Sequence, residues 1–404
     1  MSLIVQKFGG SSVADAERIF NVADIVTKTY SKGHSVVVVV SAQGDTTDDL
    51  IAKAKQINDV PSKREMDMLL TSGEQISASL LAMAIEKLGY PVVSLLGWQA
   101  GFMTSSAYGS ARIKRVIPDR IKKELDKKNI VIVTGFQGVN RYNDMTTLGR
   151  GGSDTSAVAI ASVMKADLCQ IYTDVEGVFT ADPRKVKDAR KLDHISYDEM
   201  LELATLGAQV LNNRSVEMAK KYGIRLEVLS SLTKKRGTIV KEATNVEKML
   251  ISGIAKDEDV ARVSIIGVPD RPGLAFKIFS KLSAKNINVD IILQSVGRNG
   301  TKDISFTVSQ ANLKETIDIL DPYVELIGAT SVVYDENVAK VSIVGAGMET
   351  HPGTAAEMFE ALYDANINIQ MIATSEIKIS VLIDRSDADK AVTTIHNKFF
   401  NDAM

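Results

Sequence analysis

The first 245 or so residues alternate short runs of β-branched side chains with stretches in which apolar residues recur at helical spacing. The clearest strands are predicted at 35–40, 129–134, 167–173 and 225–229, and the clearest helices at 66–88 and 155–164. Strands that are apolar on both faces and separated by helices are typical of a mostly parallel sheet covered by helices on both sides. The pattern therefore predicts an α/β fold for this part of the chain.

The pattern changes near 241–248, where a polar, charged stretch predicts a linker. Beyond it the chain repeats itself. The string Val-Ser-Ile-Ile-Gly at 263–267 returns as Val-Ser-Ile-Val-Gly at 341–345, and a Pro-Gly pair (272) and an Asn-Ile-Asn triplet (286) return at 352 and 366. Each copy predicts a strand, a Pro-Gly turn, a helix, a strand and a further alternating strand. The predicted domains are 1–246, 247–337 and 338–404, the last two being small α/β modules.

An apolar strand start, two adjacent glycines and an amphipathic helix follow one another at the N-terminus. Ser12, with Asp15 three residues on, has the spacing of a helix N-cap. Bare glycine amides and a helix N-terminus attract anions, and Lys7 adds a full positive charge at the same point. The arrangement predicts a phosphate-binding turn at Gly9 and Gly10, although two glycines alone would also fit a plain tight turn.

Composition and spacing exclude several classes of protein. No Walker-type spacing is present, and Gly345-Ala346-Gly347 lacks the third glycine and the helix that a dinucleotide site needs. A formal net charge of −2 gives no electrostatic case for nucleic acid or a membrane surface, and no apolar stretch approaches the ~20 residues of a membrane span. A single cysteine, Cys169, lies in an apolar run, which excludes an intrachain disulfide and favours the cytoplasm. With only four scattered histidines, a structural zinc site is not expected.

Two further clusters carry chemical groups. The string from Thr147 to Thr155 places Arg150 between glycines, and the arginine fork suits a carboxylate or phosphate. Asp154 opens the predicted helix, where it would also fit a simple cap. The string from 173 to 184 follows a predicted buried strand and suits ribose and phosphate contacts, with a surface turn built on Asp-Pro as the alternative. Both clusters border the carboxyl ends of predicted strands, where parallel α/β folds bind ligands.

These strings, with Gly135-Phe136-Gln137-Gly138, resemble the aspartate kinases of the amino acid kinase family, and the repeats resemble paired ACT domains. The resemblance covers nearly the whole chain. It implies an amino acid kinase fold, with a mostly parallel sheet between helices, followed by two ferredoxin-like βαββαβ ACT modules. Phe179 stands where some members of the family have tyrosine, which keeps the ring and loses a hydroxyl.

The activity that the resemblance implies is ATP-dependent phosphorylation of the side-chain carboxylate of L-aspartate to 4-phospho-L-aspartate, an early step towards lysine, threonine, methionine and diaminopimelate. An aspartate carboxylate, with a reference pKa of about 3.9, is already ionised at neutral pH and needs no general base. Catalysis would then rest on positioning and charge neutralisation. Mg²⁺ would arrive with ATP and keep much of its water shell, so no dedicated protein metal site is expected.

The resemblance also implies roles for individual residues. Lys7 and Asp154 would be catalytic. The substrate would be bound by Thr47, Glu74, Arg150, Gly151, Gly152 and Ser153. The nucleotide would be bound by Lys7, Gly9, Gly10, Ser41, Thr173, Asp174, Phe179, Asp182 and Arg184.

The tail would be an amino acid sensor in which lysine, threonine or both act as inhibitors. Candidate effector residues are Asp270, Gly273, Ala275 and Gln294 in the first repeat, and Asn368, Ile369, Thr374, Ser375 and Glu376 in the second. Because ACT modules of this family pair across chains, the resemblance implies a homo-oligomer, at least a dimer. Relatives can also produce the tail separately from an internal start; Met249 would suit one, although an ordinary internal methionine is the simpler interpretation.

Two other functions compete with this prediction. One is a kinase of the same fold that acts on another amino acid carboxylate, such as glutamate. The other is an amino-acid-sensing regulatory protein whose kinase domain is inactive. The string from Thr147 to Asp154 and the tandem tail argue against the first, and intact Lys7, Arg150 and Asp154 argue against the second.

Overall fold

The computed structural model describes residues 2–206, 210–233, 235–242, 250–297 and 300–401, and these form two compact units. The first unit contains residues up to Phe179, residues 191–205 and the described part of 209–246. The second contains 180–190, Leu206 and the described part of 247–404. The predicted domain boundaries stay predictions; most of the expected linker 241–248, and Met249, lie outside the described residues.

The first unit is built around one large sheet. Its elements are β1 (Leu3–Phe8), α1 (Ala16–Ser31), β2 (Ser35–Val40), α2 (Thr46–Ile57), α3 (Lys63–Lys87), β3 (Val92–Leu95), β4 (Phe102–Thr104), β5 (Ile113–Val116), α4 (Asp119–Asp126), β6 (Ile130–Thr134), β7 (Gln137–Val139), β8 (Met145–Thr147), α5 (Gly152–Met164), β9 (Leu168–Thr173), β10 (His194–Ser196), α6 (Tyr197–Thr205), α7 (Asn213–Tyr222), β11 (Leu226–Ser230) and β12 (Thr238–Lys241).

The large sheet has eight strands in the order β10-β12-β11-β9-β1-β2-β6-β3, and only the β11–β12 pair is antiparallel. Its centre is a hydrophobic core, because β2 and β6 consist mainly of valine and isoleucine residues that are buried on both faces of the sheet. The predicted strands and helices lie where the pattern placed them, and Cys169 is fully buried in β9. A second sheet, β5-β4-β7-β8, escaped prediction because its strands have only three or four residues and show no alternation.

One expectation about the N-terminal helix is wrong. A 3-10 turn over Gly10–Val13 precedes α1, so Ser12 lies inside that turn and its hydroxyl bonds to that of Ser231 (2.7 Å). Asp15 is the N-cap, and its carboxylate accepts from the backbone N–H of Arg18 (2.9 Å). The extra turn shifts the cap by three residues.

The long helix α3 has an apolar composition. It is the one described helix long and apolar enough to cross a membrane by those two criteria alone, which the sequence analysis did not anticipate. Half of its most apolar window is buried inside the protein, and it also buries the carboxylates of Asp67 and Glu74. A core helix of a soluble protein passes the same test, so the finding is weak evidence for a membrane span.

The second unit contains two four-stranded antiparallel sheets, each with two helices. Its elements are β13 (Gly253–Asp257), β14 (Ala261–Pro269), α8 (Leu274–Ala284), β15 (Ile292–Gln294), β16 (Thr301–Val308), α9 (Gln310–Ile327), β17 (Ser331–Asp335), β18 (Val338–Val344), α10 (Thr354–Asp364), β19 (Met371–Thr374), β20 (Lys378–Asp384) and α11 (Ala388–Phe400).

The two sheets follow the sequence repeat, with one exchange. The orders are β15-β16-β14-β17 and β13-β18-β20-β19. Thus β13, which precedes the first repeat, completes the sheet of the second by pairing antiparallel with β18. In each repeat the Pro-Gly pair ends in a left-handed glycine that caps the following helix: Gly273 has φ 90° and Gly353 φ 107°. Glycine adopts this conformation without the steric cost that a Cβ would add.

Candidate active site

Lys7 and Asp154 form an ion pair at the centre of the first unit. Lys7 is on β1, between β9 and β2 in the middle of the sheet, and Asp154 is in the first turn of α5. The Nζ and Oδ1 atoms are 2.7 Å apart, and each side chain is only 12% exposed. The amides of the helix N-terminus favour a carboxylate at this position. The pair therefore places the Lys7 ammonium, which is largely shielded from solvent, beside the turn that follows β1.

The two glycines that follow Lys7, Gly9 and Gly10, leave this turn without side chains. A Cβ on Gly10 would lie 2.7 Å from the carbonyl oxygen of Ala42, and one on Gly9 would lie 3.4 Å from Nζ of Lys7. The close approach joins the turn to the end of β2, where the Ser41 N–H donates to the Phe8 carbonyl (3.1 Å). Backbone amides without neighbouring side chains, together with a lysine, can bind phosphate groups.

Glu74, on α3, offers an unsatisfied acceptor. It is 3% exposed, and its Oε1 accepts from the N–H of Ala42 (3.2 Å). Its buried Oε2 has no hydrogen-bond partner among the described residues, and burial raises the pKa of this carboxyl to about 7. Gly73 permits the approach, because a Cβ there would lie 2.8 Å from that of Ala42. A buried oxygen without a donor fits a bound ammonium group. Thr47 lies in the first turn of α2.

The Arg150 loop leads from β8 into α5. Gly151 has φ 68° and precedes the first helical residue, Gly152. Ser153 is buried, and it packs so closely on Gly135 that a Cβ there would lie 2.7 Å from that of Ser153. Arg150 is exposed, and within the described part of the chain no carboxylate lies within ion-pair distance of it. The guanidinium is thus available to a ligand.

Two residues that support this loop were missed by the sequence analysis. Asp67, on α3, is 1% exposed and accepts from the backbone N–H (3.0 Å) and hydroxyl (2.7 Å) of Thr147 and from the N–H of Gly109 (2.9 Å). Arg214, on α7, donates to the carbonyl of Leu148 (2.7 Å). Neither belongs to a recognisable string, because both contact groups that are distant in sequence.

The predicted nucleotide residues fall into two groups. Thr173 and Asp174 follow β9, where the Thr173 hydroxyl donates to Asp174 (2.9 Å) and the Thr173 carbonyl accepts from Ser231 after β11 (3.3 Å). Phe179 forms a β-bridge with Lys191. All of these lie in the first unit with Lys7.

Asp182 and Arg184 belong to the second unit. The Asp182 carboxylate accepts from the Arg184 backbone (2.9 Å) and pairs with its guanidinium (2.9 Å), which holds the Asp182 pKa below its usual range. This geometry is the surface turn that the sequence also allowed. The roles of these two residues with nucleotide stay predictions.

The predicted effector residues lie at the ends of elements in the two repeats. Asp270 pairs with Lys302 (2.8 Å), Gly273 and Ala275 begin α8, and Gln294 ends β15. In the second repeat, Asn368 and Ile369 precede β19, and Thr374, Ser375 and Glu376 form its exposed end. Their effector roles stay predictions. No group of three or more candidate metal-binding side chains occurs among the residues that the structure describes.

Comparison with family models and known proteins agrees with this architecture. The model for the amino acid kinase family matches residues 2–230, and models for the ACT domain match 262–323 and 341–399. An aspartokinase of Mycolicibacterium smegmatis is 50% identical over 405 residues, covering 99% of this chain and 96% of that protein. Aspartokinase 2 of Bacillus subtilis is 50% identical over 400 residues, covering 99% and 98%.

Solved structures give the same result. E. coli aspartokinase III in complex with lysine and aspartate has a TM-score of 0.75 and 25% identity, covering 98% of this chain and 99% of that one. The fold and the family models define an amino acid kinase with two ACT domains, which confirms the predicted fold class. Half the residues are shared with aspartokinases over nearly the full length, and the chain belongs to that group of amino acid kinases, enzymes of amino-acid biosynthesis.

Proposed function

We propose that this enzyme transfers the γ-phosphoryl group of ATP to the side-chain carboxylate of L-aspartate, giving ADP and 4-phospho-L-aspartate. The observation that carries the proposal is the shielded Lys7–Asp154 pair (2.7 Å) beside the bare Gly9-Gly10 turn. The orphaned Oε2 of Glu74 supports an amino acid as the acceptor, since an ammonium group would complete its hydrogen bonding.

The reaction needs no proton transfer to the nucleophile. A carboxylate oxygen of aspartate forms a bond to the γ-phosphorus while the bond to the bridging oxygen of ADP breaks. Lys7 neutralises charge that develops on the transferring phosphoryl group, and Asp154 holds the ammonium of Lys7 in place. Glu74 binds the substrate ammonium and Arg150 clamps a carboxylate, with Thr47, Gly151, Gly152 and Ser153 lining the same loop and helix ends.

The nucleotide would lie over the carboxyl ends of β1, β2 and β9. Gly9, Gly10 and Ser41 would hold phosphates, and Thr173, Asp174 and Phe179 would hold the nucleoside. The nucleotide role predicted for Arg184, with Asp182 as the carboxylate that holds its guanidinium, is part of the proposal. The bare glycine backbone supports this assignment, because a Cβ on Gly10 would already collide with Ala42. Mg²⁺ bound with ATP would screen the phosphate charges.

The ACT domains would make the enzyme feedback-regulated by lysine, threonine or both. The E. coli relative whose structure contains lysine and aspartate supports lysine as one effector. The proposed effector residues lie at the Pro-Gly turns and at the ends of β15 and β19. The proposal includes a cytoplasmic homo-oligomer, at least a dimer, assembled through these domains.

Acyl phosphate trapping tests the proposal. ATP, Mg²⁺ and L-aspartate are incubated with enzyme and hydroxylamine, with lysine and threonine added singly and together. Aspartyl hydroxamate, without glutamyl hydroxamate from a glutamate control, supports the aspartate kinase. Product from glutamate alone supports the related kinase, and amino acid binding without any hydroxamate supports the regulatory protein with an inactive kinase domain. The inhibition pattern identifies the effector.

A further inference from the structure

Residues at the start of α7 donate hydrogen bonds to the Arg150 loop, the segment between β8 and α5. Arg214 donates from Nη1 to the Leu148 carbonyl (2.7 Å) and from Nη2 to the Ala111 carbonyl (3.3 Å). Asn212 donates from Nδ2 to the carbonyl of Arg150 itself (3.2 Å). The position of this loop is therefore set by side chains that make no predicted contact with substrate.

The loop packs closely against the start of α7. Gly151 has φ 68°, and a Cβ at this position would overlap the side chain of Asn212. Gly149 has φ 76°, and a Cβ there would lie 3.2 Å from the Gly109 carbonyl. With Thr147 fixed by Asp67, the loop is held along its whole length.

The two hydrogen bonds that Arg214 donates do not require a positive charge. A neutral amide could also donate to a carbonyl oxygen. Burial lowers the pKa of Arg214, repulsion from Arg112 lowers it further, and Glu217 only partly offsets these effects. Among the described residues, no carboxylate lies within ion-pair distance of its guanidinium. Its positive charge thus stays largely uncompensated beside the loop that presents Arg150.

We propose that Arg214 is a positioning residue for the amino acid substrate: it fixes the Arg150 loop, and its charge favours a substrate with two carboxylates over one with a single carboxylate. The proposal rests on the proposed function, because it concerns the same substrate loop. Aspartate has two carboxylates, whereas asparagine has one and an amide of nearly the same shape. The two compounds therefore report the charge of the site separately from its shape.

Three variants test the proposal. Arg214→Gln keeps hydrogen-bond donors and removes the charge, Arg214→Lys keeps the charge and loses the planar fork, and Lys221→Gln removes an exposed cation from the same helix as a control. We expect Arg214→Gln to raise KM for aspartate by about tenfold or more, as for the loss of a charged hydrogen-bonding group. KM for ATP should change by less than about twofold. Arg214→Lys should be intermediate, and Lys221→Gln should match the parent enzyme.

Asparagine provides the readout that a purely structural role would not move. In Arg214→Gln the inhibition constant of L-asparagine should rise much less than KM for aspartate. Equal rises for both compounds, or an unchanged KM for aspartate, would overturn the proposal. If Arg214→Gln does not fold, Arg214→Lys and Asn212→Ala test the proposal from the other side. Because both keep a positive charge at position 214, KM for aspartate and the inhibition constant of asparagine should rise by the same factor in them, and unequal rises would overturn the proposal. If the parent enzyme forms no aspartyl hydroxamate, the proposed function fails, but calorimetric binding of aspartate and asparagine to the same variants still decides the role of Arg214.

Discussion

Lys7 carries the charge on which the proposed phosphoryl transfer depends. Its Nζ is 2.7 Å from Asp154, and the residue lies at the end of a central strand whose neighbours form the dry core. Removal of the ammonium takes away stabilisation of the transferring phosphoryl group, whereas the core stays intact.

We expect Lys7→Ala to lower kcat by several orders of magnitude while the protein stays folded. The measurement is hydroxamate formation, accompanied by circular dichroism. Lys28→Ala is the matched control, because Lys28 also pairs with an aspartate, Asp24, but is largely exposed on α1. Near-normal turnover of Lys7→Ala would contradict the assignment.

Glu74 connects substrate binding to pH. Because burial raises its pKa to about 7, a substantial fraction of the free enzyme carries a protonated Glu74 at neutral pH. Only the ionised form pairs fully with an ammonium group. We expect KM for aspartate to rise as the pH falls below about 7, with little change in KM for ATP, in initial-rate measurements from about pH 8 to about pH 6.

The stability of the fold should depend on Glu74 in the opposite sense: low pH weakens aspartate binding but stabilises the folded state. The raised pKa means that the folded state binds the Glu74 proton more tightly than the unfolded chain, so this site stabilises the fold least above pH 7. We expect Glu74→Gln to unfold at a higher temperature than the parent enzyme at about pH 8 and to bind aspartate weakly. A variant that lost stability at that pH would argue against a buried, unpaired carboxylate.

At the scale of elements, the turn after β1 depends on the absence of side chains. A Cβ at Gly10 would lie 2.7 Å from the Ala42 carbonyl, so the turn and the end of β2 would have to separate. We expect Gly10→Ala to raise KM for ATP and to destabilise the protein by about 1–3 kcal/mol, as for other overpacked sites. Steady-state kinetics and chemical unfolding measure the two effects. The exposed neighbour Ser11→Ala should change neither, and equal behaviour of the two variants would show that the close approach is unimportant.

Elements with strong hydrophobic patterns could be predicted, whereas contacts between distant elements could not. The valine run of β2 and the glycine pair after β1 can be recognised from the local sequence alone. Asp67 and Arg214 cannot, because their partners Thr147 and Leu148 are far away in sequence, so residue spacing gives no sign of these contacts. The same applies to β13, whose five residues give no sign that they pair with β18.

Local prediction also failed where a small change in backbone geometry moved a role by a few positions. Ser12 has the right type and spacing for an N-cap, but the 3-10 turn gives that role to Asp15. The resemblance predicts Glu74 as a substrate-binding residue, and the structure supports that proposal with an unsatisfied carboxylate oxygen that the sequence cannot reveal.

At the scale of the whole molecule, residues 180–190 interrupt the first unit in sequence, between Phe179 and Lys191. This segment carries Asp182 and Arg184, yet it packs within the second unit, where Ala181 and Val186 join the core of α10 and α11. Thr180 anchors it: the Thr180 hydroxyl lies 2.9 Å from Nε2 of His396 and also accepts from the N–H of Arg190 (2.9 Å).

His396 makes this anchor sensitive to pH. The ring is fully buried on α11 and stacks on Phe400 at a centroid distance of 4.6 Å. Burial lowers its pKa, repulsion from Arg190 lowers it further, and Asp188 only partly offsets this. The folded state therefore favours the neutral ring, while the unfolded chain takes up a proton near its usual pKa of about 6.5. The contribution of His396 to stability is complete above that pH and is lost as the pH falls below it.

We expect the free energy of unfolding to fall more steeply below about pH 6.5 in the parent enzyme than in His396→Phe, which keeps the stacked ring and cannot titrate. Denaturant unfolding of both proteins from about pH 8 to about pH 5 gives the difference curve, in which acid effects common to both cancel. His194→Gln, at an exposed histidine, should follow the parent curve. Parallel unfolding curves for the parent enzyme and His396→Phe would mean that the ring takes up a proton equally readily in the folded and the unfolded state. That result would contradict the burial of His396.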